Sequence, residues 1–509
     1  MQSRHRARLV RKARRRQPAK CFFVPASEAA RRIEHAELFL SRHHSAASCM
    51  HGLNAFQKGL LKRLGMVLGL ILLLKPGLLF LIGCVLAFAA FLAVMSFRIV
   101  IAIAGFVVRP ALQVIEHFTG RRETNWPPYT VLVPVYRELA VIEGLVSALM
   151  AIDYPKHLLD IQILIEADDV AMRELLEQMS LPSQFRIIVI PKGRIQTKPR
   201  ALNYGLSLAR GDYVAIYDAE DHMSPDQLKA AVRTFRAARA NGRKRQLACV
   251  QAPLIPDNGD EAWIARQFEL EYFVHFGLIV PGLTAFDMPV MLGGTSNHLD
   301  RNVLEAIGGW DPYNVTEDAD LGLRLAAHGY RVGAIWSPTY EEAPVRLKQW
   351  VNQRSRWIKG FMQTFGVFSR HPFEHMRALG VVRWISAYLL LGGSVLSAVF
   401  HGPIAIVFLL ILLVPGWRPP DYALLFYLTG LSVHAVTTLA TLRSFTLFRL
   451  LALATAPLYW PLQTAAAIKA LVELWRAPFF WDKTEHGLSP NVQRRVRLRQ
   501  LAMQARREA

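Results

Sequence analysis

Residues 64–108 form a run of 45 residues that is almost wholly apolar, longer than any single core element of a water-soluble domain. At roughly 20 residues per membrane span, the run has room for two spans joined by a tight turn. Such a hairpin returns the chain to the side it left. A single long span is the alternative that the Lys75-Pro76-Gly77 interruption keeps open. It would place the basic flanks of the run on opposite sides, and a lysine at the bilayer centre costs about 2.5–3.5 kcal/mol. A second apolar region, Trp384 to Leu474, reads as four further spans near 384–400, 402–416, 421–441 and 448–472. The even total keeps the regions before, between and after on one side.

The charge agrees with this topology. The net charge is +21, and its Arg and Lys crowd into residues 1–20, beside the spans and after Trp475. That is the bias of cytoplasmic loops toward positive charge, and attraction to an anionic leaflet of about 1 kcal/mol per basic residue accounts for it without nucleic acid. The first apolar run begins too far from Met1 for a cleavable signal peptide, so the spans read as permanent anchors. Cys21, Cys49, Cys84 and Cys249 show neither CxxC nor Cys/His spacing, so neither a zinc site nor a disulfide framework is implied.

Between the apolar regions the pattern changes. TVLVPVY from Thr130, IQILIE from Ile161, FRIIVI from Phe185, YVAIYD from Tyr213 and LACVQ from Leu247 alternate with helical stretches, the βαβ rhythm of a largely parallel sheet. In such sheets ligands sit beyond the carboxyl ends of the strands, and the polar motifs of this chain fall there.

The second strand ends in Glu166-Ala167-Asp168-Asp169, carboxylates that either meet a ligand or cap the next helix. Thr197-Lys198-Pro199-Arg200 opens a helix whose first N–H groups and Lys198 cation suit a diphosphate, or else form a solvated proline-led start. Asp218-Ala219-Glu220-Asp221 crowds three carboxylates at a strand end. Such crowding calls for a cation, and Mg²⁺ or Mn²⁺ is satisfied by one or two carboxylates plus phosphate oxygens; an acidic turn capping the helix after Ser224 is the plainer reading. Thr316-Glu317-Asp318 leads an amphipathic helix, either as its acidic first turn or with Asp318 as a general base. Gln353-Arg354-Ser355-Arg356-Trp357 joins planar cations to an indole, apt for a sugar and a pyrophosphate or for an amphipathic helix at the membrane interface.

Taken in order, these motifs and the spans after QRSRW resemble the family-two glycosyltransferases, among them cellulose, chitin, hyaluronan, mannan and glucan synthases. The likeness covers about Pro128 to Gly360. It implies a Rossmann-like α/β domain of the GT-A type on the cytoplasmic side of a bacterial inner membrane, combined with an α-helical transmembrane region. It further implies a nucleoside contacted by Asp168 or Asp169, a diphosphate held by Lys198 and a metal, and a donor site that includes Asp218, Glu317 and Gln353. Asp318 becomes the base, with Arg356 and Trp357 bordering the acceptor and leaving group. Glu220 stands where the family has a second aspartate, so either Glu220 or Asp221 completes the metal site. Gly293 to His298 resembles a stretch near the acceptor, with His298 in a packing role.

The implied activity is inverting, processive polymerisation of a nucleotide sugar, UDP-glucose by preference, into a β-linked polysaccharide passed through the enzyme's own channel. Single transfer to a lipid carrier and a non-catalytic scaffold of a secretion system are the alternatives. Partners would be the donor, the growing polysaccharide, the bilayer and separate export or regulatory chains, with no nucleic acid. The resulting division is a basic cytoplasmic segment (1–63), a transmembrane hairpin (64–108), the catalytic domain (109–345), interface helices with QxxRW (346–380), C-terminal spans (381–474) and a basic tail (475–509).

Overall fold

The computed structural model describes residues 21–117, 125–416, 421–442 and 445–480. The basic start before residue 21 and the tail from 481 onward lie outside the described residues.

Eleven strands occur among them: β1 (Cys21–Phe22), β2 (Tyr129–Val135), β3 (Leu159–Glu166), β4 (Phe185–Ile190), β5 (Tyr213–Ile216), β6 (His222–Met223), β7 (Leu247–Gln251), β8 (Leu254–Pro256), β9 (Asn297–Asp300), β10 (Arg331–Ala334) and β11 (Thr339–Glu341). Eight make one sheet in the order β1-β4-β3-β2-β5-β9-β7-β10, and β6-β11-β8 make a small second sheet. The large sheet is parallel except at β9, which runs antiparallel to both β5 and β7. The fold is thus GT-A-like α/β, with the five apolar runs of the sequence as its central strands.

Those runs carry little alternation because both faces are covered. Val131, Val133 and Val135 enter one core layer while Leu132 enters the other, and all four are buried. The chain builds outward from β2 through β3 to β4, then returns to place β5 on the other side of β2. That reversal opens a crevice at the carboxyl ends of β2 and β5, where α/β sheets bind their ligands. Because β9 runs backward, its leading end also points there. The loop before it, Gly293 to Ser296, therefore reaches the same crevice.

The N-terminal segment, which offered no motif, is built into this domain. β1 adds an edge strand beside β4, and the Ala26–His43 helix packs on the Lys198–Leu206 helix. Glu37 there accepts the Arg194 amide at 2.8 Å and pairs with Arg200 at 3.6 Å. Arg370, at the far end of the QRSRW helix, donates to the carbonyls of Ser45, Ala46, Ser48 and Gly52.

Two expectations about the apolar regions need correction. The first run is not a hairpin of two comparable spans. The Ala55–Leu74 helix ends at Lys75, and Pro76–His117 is one unbroken helix. Only eleven residues of the run precede the break, about 16 Å of helix against a hydrocarbon core of about 30 Å. In the second region, the two short spans expected at 384–400 and 402–416 are a single helix, Val381–Leu413, with Pro403 inside it. Thr464 mends the interruption: its hydroxyl accepts the Gly402 amide at 3.1 Å and donates to the Ala398 carbonyl at 2.8 Å. Beyond it come helices Asp421–Thr441, Leu447–Ala454 and Ala456–Arg476. Among the described residues two helices, Pro76–Arg109 and Val381–Val407, are long and apolar enough to cross a bilayer.

Candidate active site at the strand ends

A cavity of about 900 Å³ opens over the crevice. Lys198 lines it from the first position of the Lys198–Leu206 helix, where proline at the next position suits a helix start. Its ammonium pairs with Asp218 and donates to the Gly294 carbonyl at 2.8 Å. A Cβ built on Gly294 would lie 3.4 Å from an Asp318 oxygen, 3.7 Å from the Lys198 nitrogen and 3.9 Å from an Asp218 oxygen. Three motifs read separately in the sequence thus meet around one glycine that has no side chain to keep them apart.

Burial alone would lower the Lys198 pKa, but Asp218, Glu317 and Asp318 around it outweigh that and hold the ammonium charged. The carboxylates respond in the opposite sense. Burial first, and Asp218 second, push Glu220 up to about 8. Burial and the adjacent Asp318 push Glu317 up to about 8, and burial raises Asp318 as well.

The three carboxylates of the DAED turn are not equivalent. Asp218 and Glu220 line the cavity. Asp221 is fully buried, and its Oδ2 accepts the Asp218 amide at 2.7 Å and the Thr295 hydroxyl. It braces the turn against the loop that brings in Gly294. Among the described residues no three His, Cys, Asp or Glu are grouped closely enough to hold a metal unaided. Asp218 and Glu220 nevertheless form the oxygen-donor pair that suits a hard divalent ion completing its shell with phosphate oxygens.

At the second strand end the two aspartates also divide. Asp169 is buried as the N-cap of the Val170–Gln178 helix, accepting from Met172 at 3.3 Å and from the Arg137 amide at 2.5 Å. Asp168 is exposed and takes hydrogen bonds from Tyr136 at 3.1 Å and Gln196 at 3.0 Å, both of which line the cavity. His298 lies in the core between Tyr129 at 2.7 Å and Gln227 at 3.1 Å, and burial lowers its pKa to about 3.

QRSRW occupies the middle of the Leu347–Phe368 helix, and its spacing puts Gln353, Arg356 and Trp357 on the cavity side. The helix is wedged between the α/β domain and the Ala456–Arg476 helix, with Trp350 and Lys359 fully buried. Gly360 permits the approach: a Cβ there would fall 2.2 Å from the Thr316 hydroxyl, two residues before Asp318. Arg354 pairs with Glu271, which also accepts from Tyr459 at 3.0 Å and Gln463 at 3.0 Å.

Sequence reading missed Glu341, the last residue of the small-sheet strand β11, and Glu342 after it, both in the cavity wall. Burial, then Glu220 and Asp218, raise Glu341 to about 8. The two sit in a stretch without strand-like periodicity, and the pairing of β11 with β6 and β8 carries them to the site. The cavity continues from the acidic groups past Trp357 to Val94, Gly393, Ser394, Gly430, Tyr459 and Trp460 on the long apolar helices and their neighbours.

Residues 127–360, within the α/β core, match the family model Glycosyltransferase like family 2. The chain is 27% identical over 252 residues to a beta-monoglucosyldiacylglycerol synthase from Synechocystis, an overlap covering 48% of this chain and 50% of that protein. It is also 27% identical over 260 residues to a UDP-forming cellulose synthase catalytic subunit from Komagataeibacter sucrofermentans, covering 48% and 32%. Among solved structures, a mannosyltransferase from Pyrobaculum calidifontis in complex with GDP-Man and Mn²⁺ aligns with a TM-score of 0.44 and 19% identity, over 75% of this chain and 99% of that one. The chain spans about half the length of the first relative and about a third of the second.

Proposed function

We propose that this chain is a membrane-embedded, inverting glycosyltransferase that transfers sugar from a nucleotide donor to the end of a growing β-linked polysaccharide, with UDP-glucose as donor. The observation that carries the reading is the single cavity joining Lys198, Asp218 and Asp318 to the long apolar helices. A polymer made at one end has a path lined by Ser394, Tyr459 and Trp460 at the other.

In this reading Asp318 accepts the proton of the acceptor hydroxyl as that oxygen attacks the anomeric carbon. Its raised pKa suits a base working near neutrality. Glu317, at about 8, stays largely protonated there and spares Asp318 a second charge beside it. Lys198 offsets negative charge on the departing diphosphate, and Asp168 with Tyr136 and Gln196 borders the nucleoside. Asp218 and Glu220 would hold a magnesium or manganese ion, which when bound supplies electrostatic stabilisation of the leaving phosphate. Gln353, Arg356 and Trp357 border the acceptor.

The α/β domain would then face the cytoplasm of a bacterial cell, with at least Pro76–Arg109 and Val381–Val407 in its inner membrane. Transfer of one sugar to a lipid is the second reading, supported by the apolar wall at Phe97, Ile101 and Leu390. Nucleoside-diphosphate release by the detergent-purified protein, across a panel of nucleotide sugars, tests the assignment. One donor should support turnover, and Asp318→Asn should reduce it by about 100-fold or more with little change in donor KM. A mutant that keeps most of its activity removes Asp318 from the base role. Product length on a gel separates polymer from single transfer.

A further inference from the structure

Away from the cavity, four guanidinium groups converge on one loop. Asp287, in left-handed conformation at φ 51°, follows the Val280–Ala285 helix. Arg243 approaches its carboxylate at 3.3 Å and Arg331 at 3.9 Å, while Arg383 donates to its carbonyl at 2.9 Å. Arg245 completes the group: its carbonyl accepts from Arg331 at 3.2 Å, and its own Nη1 is buried with no hydrogen-bond partner. Burial and the nearby Arg383 cation both push the Arg245 pKa down. Asp287 alone does not balance four cations held this close, and the orphaned Arg245 nitrogen marks where another anion would bind.

Position identifies the kind of anion. Arg383 is the third residue of the Val381–Leu413 helix, one of the two that can cross a bilayer. The Val280–Ala285 helix leading into the loop packs on the other, so closely that a Cβ on Gly282 would lie 2.0 Å from the Ile101 carbonyl oxygen. The cluster therefore sits at the start of the Val381–Leu413 helix and just beyond a helix packed on Pro76–Arg109. Beside it stand exposed apolar side chains: Phe286 next to Asp287, and Val381, Val382 and Ile385 around Arg383. Cations flanked by uncovered apolar groups match a molecule with a charged head and a hydrocarbon body. A free phosphate uses only the first of these.

We propose that this cluster binds the phosphodiester headgroup of an anionic phospholipid, with Arg245 and Arg383 on the phosphate and the acyl chains against Phe286, Val382 and Ile385. The site rests on the membrane reading above and is separate from the transferase reading, since none of its arginines lines the catalytic cavity.

The test uses the full chain in neutral detergent, equilibrated with mixed micelles of dioleoylphosphatidylglycerol and dioleoylphosphatidylcholine. Lipid retained after detergent exchange is then counted. Phosphatidylglycerol should be retained in preference, falling roughly fivefold for each arginine removed in Arg243→Gln and in Arg245→Gln/Arg383→Gln. Arg243 is half exposed, so its single variant guards against misfolding of the double one. Lys156→Gln, an exposed cation elsewhere, should change nothing. Equal retention of the two lipids, or displacement of phosphatidylglycerol by millimolar inorganic phosphate, overturns the site. Alkaline carbonate extraction reads the premise independently: protein released to the supernatant refutes the membrane reading and the site with it, whereas protein kept in the pellet with no lipid preference refutes the site alone.

Discussion

Asp218, Glu220 and Asp221 occupy one turn and meet three environments: an ammonium ion, the open cavity, and the Asp218 amide with the Thr295 hydroxyl. Their roles should separate accordingly. In a manganese titration of nucleoside-diphosphate release, Glu220→Gln should raise the half-activating concentration at least about tenfold. Asp221→Asn should instead lower activity and thermal stability together, without rescue by excess metal. If Asp221→Asn shifts the metal midpoint and Glu220→Gln does not, the two assignments exchange. The DAED letters mark the turn as unusual, but one residue of rotation decides which carboxylate faces out, and that rotation depends on Thr295, distant in sequence. Asp168 and Asp169 repeat the lesson, since Arg137, in left-handed conformation at φ 54°, supplies the amide that secures Asp169.

Among the elements, the central strands were legible because runs such as IQILIE are both apolar and β-branched. β9 was not, since Asn297-His298-Leu299-Asp300 has one apolar residue and survives as a strand only between β5 and β7. The Ala26–His43 helix was equally silent, because its buried face docks on a partner that composition does not reveal. The long apolar helices were foreseen as apolar runs but miscounted, as Thr464 repairs at Pro403 a break that local rules would enforce. The Arg370 contacts offer a test of how firmly the N-terminal segment is held. Arg370→Ala strands four carbonyls and should cost about 3 kcal/mol locally. Hydrogen exchange in residues 45–54 should then quicken by about two orders of magnitude. Unchanged exchange would mean that the segment is held by other contacts.

At the scale of the whole molecule, the cavity connects groups that differ in chemistry. Its end at the strand termini is acidic and holds Lys198, while its far end is walled by small, aromatic and aliphatic side chains. Filling the far end should therefore uncouple release from synthesis. Ser394→Trp should shorten the product severalfold, while donor turnover, measured as nucleoside diphosphate released, stays within about twofold of wild type. Unchanged product length would place the exit path elsewhere and favour transfer of a single sugar.

The reversed direction of β9 has one more consequence. The stretch that leads into it covers the distance from Phe286, beside the arginine cluster, to the Gly294 carbonyl that holds Lys198. Those eight residues reach at most about 28 Å when fully extended. With Phe286 against the acyl chains of the phospholipid proposed above, the reacting atoms would be tethered within one bilayer thickness of the membrane surface. Sugar addition would then take place at a fixed height, whatever the length of the chain already made.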